Sequence, residues 1–365
     1  MNEVLIRTVW ERKGFIGCLL WCLALPFSFV YYFVVLIRDI GYSFRWMPRR
    51  TLPCAVVSVG NLTVGGTGKT PTILWLSQEL AKRGYRVAIL SRGYKRSKKE
   101  PMVLAPEPVN ASFIREEDRS TDAGDEPLMM ARVFFQNVAV GKKRYEAGNL
   151  LLHDTKVDVF LLDDGFQHRQ LNRDLDLLIL GSDWEGRLLP VGPFREPRRS
   201  VGRAHLYLIT GAREKWLSYL KQRPEAVVFF GSLEPKALLT FNGDRWQEFP
   251  LSVLDRSRIL AVSGIANPGR FYRLLHDWGG EIVDVLQYPD HYTYSVRDWQ
   301  RINRAARNAD LIITTEKDIV KLIRFPFARE KLFALRVEMA VEHGDSLLQA
   351  IENVVRKKKA QTGSR

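Results

Sequence analysis

The sequence predicts an α/β protein built around a mostly parallel sheet, because short apolar runs of strand length alternate with stretches of helical spacing. Two further observations refine this class. The glycine-rich stretch SVGNLTVGGTGKTP (residues 58–71) stands between an apolar run and a helical segment, and an uncharged run (residues 15–37) precedes it. We therefore expect a P-loop NTPase-like α/β/α core, a second, smaller α/β domain and an N-terminal apolar helix.

Composition limits the function classes. The chain has 365 residues, of which 46% are hydrophobic, and this is enough for a sizeable core and about two domains. Its net charge of +14 favours a negatively charged partner such as a phosphate group or an anionic membrane surface. The three cysteines show no metal-site spacing and no disulfide pattern, which is typical of a reducing compartment.

The uncharged run from Phe15 to Ile37 is long enough to cross a bilayer. As a helix it reaches roughly 34 Å, against a hydrocarbon core of about 30 Å. Pro26 interrupts the run, and tryptophan and tyrosine residues that favour headgroup depth lie along it. Basic residues on both sides suit a helix held against an anionic leaflet. We predict a membrane-associated helix, spanning or interfacial, in preference to a signal peptide or a buried core helix.

Four later apolar runs are typical of core strands: residues 86–90, 158–164, 174–180 and 204–210. The pattern changes after residue 225, where Asn-Gly-Asp (242–244) predicts a hairpin and a second set of strands and helices follows. These features divide the chain into four parts. The expected parts are the N-terminal helix with its basic flank (1–50), the core (51–230), the smaller domain (231–355) and a basic, frayed tail (356–365).

The glycine-rich stretch has the order of a phosphate-binding loop: strand, glycines, Lys-Thr, helix. Thr63 stands where the strict pattern has its first glycine, but the glycines inside the loop still let backbone N–H groups point inward, towards phosphates at the start of the helix. Lys69 can reach the outer phosphates and the Thr70 hydroxyl can bind Mg²⁺. The predicted nucleotide-binding residues are Thr63, Val64, Gly65, Gly66, Thr67, Gly68, Lys69 and Thr70.

An acidic pair supplies further metal ligands. Asp163 and Asp164 end an apolar run, and carboxylates at the end of a strand can hold Mg²⁺ directly or through water. How the two divide this task is left open. The sequences TKVD (155–158) and TTEKD (314–318) lack the position or the spacing of a guanine-reading turn, so we expect ATP as the nucleotide.

The chain closely resembles the tetraacyldisaccharide 4′-kinases, the lipid A 4′-kinases. The matching segments are SVGNLTVGGTGKTP, SRGY, AGDEP, DDGFQHRQLNRDLDLL, LLPVGPFREP, SGIANPGRFY, PDHY and TTEKD, in the family's order from residue 58 to 318. The resemblance implies ATP- and Mg²⁺-dependent phosphorylation of the 4′-hydroxyl of a tetraacylated glucosamine disaccharide 1-phosphate, at the cytoplasmic face of the inner membrane. It also implies a hinge between the two domains. Lys95, Ala266 and Tyr292 depart from the usual family pattern, away from the expected catalytic positions.

The resemblance also implies the catalytic residues. Asp125 in GDEP corresponds to the base that accepts the sugar hydroxyl's proton, paired with His291 in PDH. From the residues alone, Asp125 is equally typical of a helix N-cap and His291 of a structural histidine. Because the two lie in different expected domains, we expect them to meet only when the domains close. Glu196 and Gln167 are weaker site candidates, and an ion pair with a neighbouring arginine is the alternative for Glu196.

Basic residues cluster at Lys95, Arg96, Lys98 and Lys99, at 142–144 and at 195–203. They suit anionic lipid and the substrate's 1-phosphate, or a merely solubilising surface; nucleic acid is disfavoured because aromatic residues do not interleave with them. No obligate protein partner is indicated. The alternatives to a lipid sugar kinase are a membrane-associated P-loop NTPase switch or targeting protein and a non-enzymatic adaptor.

Overall fold

The computed structural model describes residues 3–94, 96–106, 122–242, 245–265, 268–327 and 331–363. Lys95, Ala266 and the 243–244 tip of the expected hairpin lie outside them. Helices bounded within the described residues are α1 (Glu3–Trp10), α2 (Gly14–Ser43), α3 (Lys69–Lys82), α4 (Asp125–Arg132), α5 (Arg144–Asp154), α6 (Arg213–Leu220), α7 (Gly269–Asp277), α8 (Val296–Ala305), α9 (Glu316–Leu322) and α10 (Gly344–Gly363).

The strands are short except for one. They are β1 (Ala55–Asn61), β2 (Val87–Ser91), β3 (Met102–Leu104), β4 (Val138–Val140), β5 (Val159–Asp163), β6 (Leu175–Leu180), β7 (Leu206–Ile209), β8 (Val227–Phe241), β9 (Trp246–Phe249), β10 (Arg258–Ser263), β11 (Glu281–Gln287), β12 (Leu311–Thr315) and β13 (Leu332–Val341). All four runs expected to be core strands are strands, as β2, β5, β6 and β7.

The chain forms two compact units, each made of separate stretches. The first unit contains Met1–Val87, Thr155–Ser232 and Ala340–Arg365, and the second contains Ala88–Asp154 and Leu233–Met339. One boundary therefore falls close to the expected break at 230. The expected division differs from these units in two places: residues 88–154 group with the second unit, where α4 packs against α9, and residues 340–355 group with the first.

In the first unit, the strands follow the order β8-β7-β6-β1-β5, and each neighbouring pair is parallel. Every residue of β1, β5, β6 and β7 is buried, as expected for parallel strands covered on both faces. Helices α3 and α10 pack against β1. Since Val59 of β1 lies opposite Asp163 of β5, the carboxyl ends of these two strands meet at one edge of the sheet.

In the second unit, the strands follow the order β11-β10-β12-β13, and each neighbouring pair is parallel. Strand β13 is next to β8, and β9 pairs with β8 in antiparallel orientation. The β8–β9 pair runs from Leu238–Phe249 to Phe241–Trp246, so strands flank the expected hairpin. Strand β2 is parallel and β3 antiparallel to β4. Helix α4 packs on β4 as well as on α9, which fixes its amino end within this unit.

Helix α2 continues without a break through Pro26 and is long and apolar enough to cross a membrane. One side of α2 contacts residues 188–196, a segment that we call the strap. Trp21 Nε1 donates to the Val191 carbonyl at 3.2 Å, and the Tyr31 hydroxyl donates to the Arg195 carbonyl at 2.7 Å. The other side is exposed and carries large apolar side chains: Phe15, Leu23, Phe27, Phe29, Phe33 and Ile37. Only 6% of the apolar window is buried, which rules out the core-helix alternative.

The basic tail, expected to fray, is helical as far as Gly363, where α10 ends. Lys358 Nζ lies 3.0 Å from Asp174 Oδ1, and Lys359 Nζ lies 3.0 Å from Asp158 Oδ1. These carboxylates flank the strands of the first unit, so the lysines fasten the last turns of the helix to that unit.

Glu316 makes the stability of the second unit depend on pH. Burial raises the pKa of its carboxyl to about 8. One oxygen accepts a hydrogen bond from the Val337 N–H at 3.3 Å, and the other is buried with no hydrogen-bond partner among the described residues. An unfolded glutamate ionises near pH 4.3, so between about pH 4.3 and this pKa the folded chain holds more protons than the unfolded chain.

The contribution of Glu316 to the free energy of unfolding should therefore fall as the pH rises from about 5 to about 8, by at most about 1.4 kcal/mol per pH unit. Glu316→Gln should flatten this dependence, because an amide does not ionise. Urea unfolding at several pH values measures the slope. Glu146→Gln, at a side chain that is 48% exposed, is the control and should keep the wild-type slope. Equal slopes in the wild type and Glu316→Gln would refute the assignment.

Candidate active site

The loop between β1 and α3 presents open backbone. Gly65 and Gly68 have φ values of +128° and +90°, in the left-handed region that favours glycine. A Cβ atom placed on Gly65 or Gly66 would meet nothing within 4 Å, and both residues are exposed. Thr63 and Thr67 are buried at either side, and Val64 is 40% exposed. The loop thus leaves accessible space beside its backbone, as a phosphate site requires.

Lys69 begins α3, and its side chain turns back towards the loop. Its Nζ donates to Asn61 Oδ1 at 3.2 Å and to the Gly65 carbonyl at 3.4 Å. The same atom lies 3.7 Å from Asp164 Oδ1. Thr70 follows in the first turn of the helix, where backbone N–H groups and the helix dipole favour an anion. A phosphate group at this position would meet one ammonium group and the positive end of α3.

The strap holds the loop in place through backbone hydrogen bonds. The Val64 N–H donates to the Pro193 carbonyl at 2.8 Å, and the Arg195 N–H donates to the Leu62 carbonyl at 2.7 Å. Gln167 supports the start of the loop from another direction, because its Nε2 donates to the Asn61 carbonyl at 2.9 Å. Gln167, a weaker candidate in the sequence, thus lies beside the predicted nucleotide loop.

The acidic pair lies next to the loop. Asp163 is buried at the end of β5, and Asp164 follows with a φ of +49°, a conformation that non-glycine residues seldom adopt. Arg195 Nη1 lies 2.6 Å from Asp164 Oδ2. The Asp164 carboxylate therefore contacts two cations, the Arg195 guanidinium and the Lys69 ammonium group. Such backbone strain often accompanies functional sites.

The donor set around the loop suits a hard cation. Carboxylate and hydroxyl oxygens of Asp163, Asp164 and Thr70 are ligands that Mg²⁺ accepts, and Mg²⁺ commonly takes one or two carboxylates and completes its shell with phosphates and water. Within the described ranges, no group of three or more His, Cys, Asp or Glu side chains could hold a metal ion. The residues present therefore fit a metal bound together with a nucleotide better than a metal held by protein alone.

Glu196 serves as a buried anchor. Its side chain is fully buried, with one oxygen paired to Arg38 of α2 and the other 2.5 Å from Arg203 Nη2. Both oxygens are thus engaged by arginines. This geometry fits the ion-pair alternative for Glu196, and it fastens α2 to the strap.

A second cluster forms in the second unit around Asp125. Gly124, with a φ of +91°, precedes α4, so Asp125 is the first helical residue and not the N-cap. His291 Nδ1 lies 3.4 Å from Asp125 Oδ2, and His291 itself has a φ of +60°. Burial raises the pKa of Asp125, but the hydrogen bond from His291 and the charge of Lys321 outweigh burial, so the pKa lies below its usual value. Asp125 is therefore ionised at neutral pH.

The expectation that Asp125 and His291 come from different domains is wrong. Both lie in the second unit and are already in contact. The physical reason is the packing of α4 on α9, where Lys317 pairs with Glu126 and Lys321 Nζ lies 3.2 Å from Asp125 Oδ2. The Tyr94 ring lies 5.3 Å from the His291 ring, between centroids.

Sequence reasoning missed three residues of these clusters. Asn61 and Arg195 contact Lys69 and Asp164 directly, and Lys321 contacts Asp125. Arg195 stands beside Glu196 in the REP segment, where the sequence placed it only in the basic cluster at 195–203 and singled out Glu196 as the site candidate. No pattern in the sequence joins Lys321 to a carboxylate so far away along the chain.

Comparison with known proteins gives a consistent result. The family model described as tetraacyldisaccharide-1-P 4′-kinase (LpxK) matches residues 20–356. The chain belongs to this family. The tetraacyldisaccharide 4′-kinase of Aquifex aeolicus is 34% identical over 90% of this chain and 98% of its own length, and that of Syntrophus aciditrophicus is 37% identical over 87% and 88%. The family prediction is confirmed.

A solved structure extends the likeness to the fold. The crystal structure of the "apo" form of LpxK from Aquifex aeolicus in complex with ATP matches with a TM-score of 0.74 and 32% identity. The match covers 91% of this chain and 98% of the other. The predicted α/β class, with a mostly parallel sheet and an N-terminal apolar helix, is confirmed.

The open space at Gly65 leads to a prediction about nucleotide binding. Gly65→Ala adds a Cβ at a φ of +128°, in the space that a phosphate would occupy, and should weaken ATP binding about tenfold or more. Gly84→Ala is the matched control, because Gly84 has a φ of +84° and equally open surroundings but lies beyond the far end of α3.

Both variants should lose similar thermal stability through backbone strain, and only Gly65→Ala should lose affinity in calorimetric titration with ATP. Equal ATP affinities of the two variants would show that the loop backbone does not approach the nucleotide.

Proposed function

We propose that this chain transfers the γ-phosphate of ATP to the 4′-hydroxyl of a tetraacylated glucosamine disaccharide 1-phosphate, a step of lipid A biosynthesis. The family match over residues 20–356 carries the proposal. It includes both the Lys69 loop and the Asp125–His291 pair, which are the two parts that a kinase needs: a phosphate site and a group that receives the acceptor's proton.

The loop residues provide the phosphate site. Lys69 and the backbone N–H groups of residues 63–70 would hold the β- and γ-phosphates, and the amino end of α3 adds positive charge. Thr70, Asp163 and Asp164 would hold Mg²⁺, which when bound neutralises charge that develops on the phosphates. Arg195 Nη1, 2.6 Å from Asp164 Oδ2, orients that carboxylate.

Asp125 provides the acceptor site. Its ionised carboxylate would accept a hydrogen bond from the sugar hydroxyl and take the proton as the phosphoryl group is transferred. The contact with His291, at 3.4 Å between Nδ1 and Oδ2, fixes the orientation of the carboxylate. Because this pair is preformed within one unit, substrate binding does not have to assemble it.

The N-terminal helix provides access to the substrate. A tetraacylated sugar leaves a bilayer only at high cost, since each buried CH₂ contributes about 0.8 kcal/mol. The enzyme must therefore work at the membrane, and the exposed apolar side of α2 suits that place. We assign the enzyme to the inner membrane with its catalytic units on the cytoplasmic side, where ATP is available, and expect anionic lipid to attract its basic surface.

A transfer assay separates this proposal from a P-loop switch that hydrolyses nucleotide. ATP labelled in the γ-phosphate, with Mg²⁺ and the acylated disaccharide monophosphate in detergent micelles, should label the lipid. If phosphate goes to water alone, with or without the lipid, the kinase function is refuted and the switch remains.

Removal of the proposed base gives a sharper prediction. Asp125→Asn should lower the rate of lipid phosphorylation by about 100-fold or more, because an amide cannot take the proton, while ATP affinity stays within about twofold. Asp277→Asn is the control, since that side chain is 68% exposed on α7 and should leave the rate unchanged. Wild-type turnover in folded Asp125→Asn would remove Asp125 from this role.

The exposed side of α2 gives a prediction about the membrane. Phe27 and Phe33 are 67% and 56% exposed, so changing both to Glu should reduce flotation with vesicles of phosphatidylglycerol and phosphatidylethanolamine several-fold. Val283→Glu, at a residue 40% exposed in the second unit, is the control for added charge and should float like the wild type. Undiminished flotation of the double variant would contradict membrane binding through this side.

A further inference from the structure

Lys321 is a buried cation at the acceptor site. Its side chain, on α9, is 7% exposed. Its Nζ lies 3.2 Å from Asp125 Oδ2 and 3.3 Å from Asp318 Oδ1, and 5.8 Å from the centre of the Tyr294 ring. A lysine is seldom buried unless it is paired, so the two carboxylates account for its position.

Asp318 holds Lys321 in place. It is fully buried, and its Oδ2 accepts hydrogen bonds from the Gly264 N–H at 2.8 Å and from the Thr315 hydroxyl at 2.7 Å. Its other oxygen faces Lys321. Hydrogen bonds from a backbone N–H and a hydroxyl group hold Asp318 in place. Its contact with Lys321 therefore keeps the Lys321 ammonium group next to Asp125.

The charged groups around Asp125 come from several elements. His291 contacts Asp125 Oδ2 from the segment after β11, and Asp290 Oδ2 lies 3.7 Å from the far nitrogen of that ring. Glu126 is paired with Lys317 of α9, and Tyr94 flanks His291. Of these groups, Lys321 is the fixed positive charge in contact with the carboxylate.

Both donors engage the same oxygen of Asp125. His291 and Lys321 lie 3.4 Å and 3.2 Å from Oδ2. Within the part of the chain that the structure describes, no hydrogen bond or ion pair of the protein is made to Oδ1. A carboxylate bound in this way is fixed in rotation and has one oxygen left for a hydroxyl group.

We propose that Lys321 is a positioning residue for phosphoryl transfer: it holds the Asp125 carboxylate ionised and turned so that Oδ1 receives the acceptor hydroxyl. This inference rests on the proposed function and adds a residue to its acceptor site. The lowered pKa of Asp125 is consistent with it, since burial alone would raise that pKa, and the hydrogen bond from His291 together with the charge of Lys321 outweighs burial.

The test compares Lys321→Met with the wild type in the lipid phosphorylation assay, with ATP and Mg²⁺, across a range of pH. We expect kcat to fall about 10- to 100-fold with KM for ATP within about twofold, and the acid limb of kcat/KM to move to higher pH, because Asp125 loses the cation that keeps it ionised. Lys321→Arg keeps the charge and should keep the acid limb of the wild type.

Lys358→Met is the matched control. Its ammonium group also pairs with an aspartate, 3.0 Å from Asp174 Oδ1, and is 13% exposed, but it lies in the first unit. It should lose similar thermal stability and keep the pH profile of the wild type. Lys321→Gln serves as a second neutral variant if Lys321→Met does not fold, and the same criterion applies to it.

The inference is overturned if folded Lys321→Met, or Lys321→Gln, keeps the acid limb of the wild-type kcat/KM profile. It is also overturned if either variant keeps the kcat of the wild type. Failure of the proposed function looks different, because the wild type itself would then transfer no phosphate to the lipid.

Discussion

The parallel register between β1 and β5 is the constraint on which the proposed nucleotide site depends. With Val59 opposite Asp163, both strands end at the same edge of the sheet, and the loop after one meets the acidic pair after the other. The 3.7 Å separation of Lys69 Nζ and Asp164 Oδ1 follows from this alignment. A slip of one residue would turn Asp163 to the opposite face of the sheet and separate the carboxylates from the loop.

The residues of the proposed nucleotide site could be singled out in the sequence because they are local or share a sheet edge. The order of strand, glycine loop and helix is visible in consecutive residues, and Asp163–Asp164 directly follow an apolar run. Asp125 and His291 of the proposed acceptor site could be named only from the family resemblance. Its assembly depends on α4 packing against α9, which joins Asp125 to Lys321 across 196 positions of the chain. Such a contact leaves no periodic trace in the sequence.

The two terminal segments show the same difference between local features, which the sequence predicts, and distant contacts, which it does not. The length and hydrophobicity of α2 follow from composition alone, so the helix was predictable. The basic tail has a composition typical of a frayed end, yet it is ordered as a helix because carboxylates of the folded first unit lie within reach of Lys358 and Lys359. A run of charges predicts solvent exposure only when the fold places no opposite charge nearby.

The strap links the two features of the first unit that we propose to serve substrate and nucleotide, α2 and the loop between β1 and α3. On one side its carbonyl groups accept hydrogen bonds from α2, including the bond from the Tyr31 hydroxyl to Arg195. On the other side its backbone bonds the loop at Val64 and Leu62. Glu196 and Arg195 are consecutive, so one side chain binds α2 through Arg38 while the next binds Asp164. The strap therefore contacts both the apolar helix and the loop of the proposed phosphate site, so the backbone of residues 188–196 connects the two.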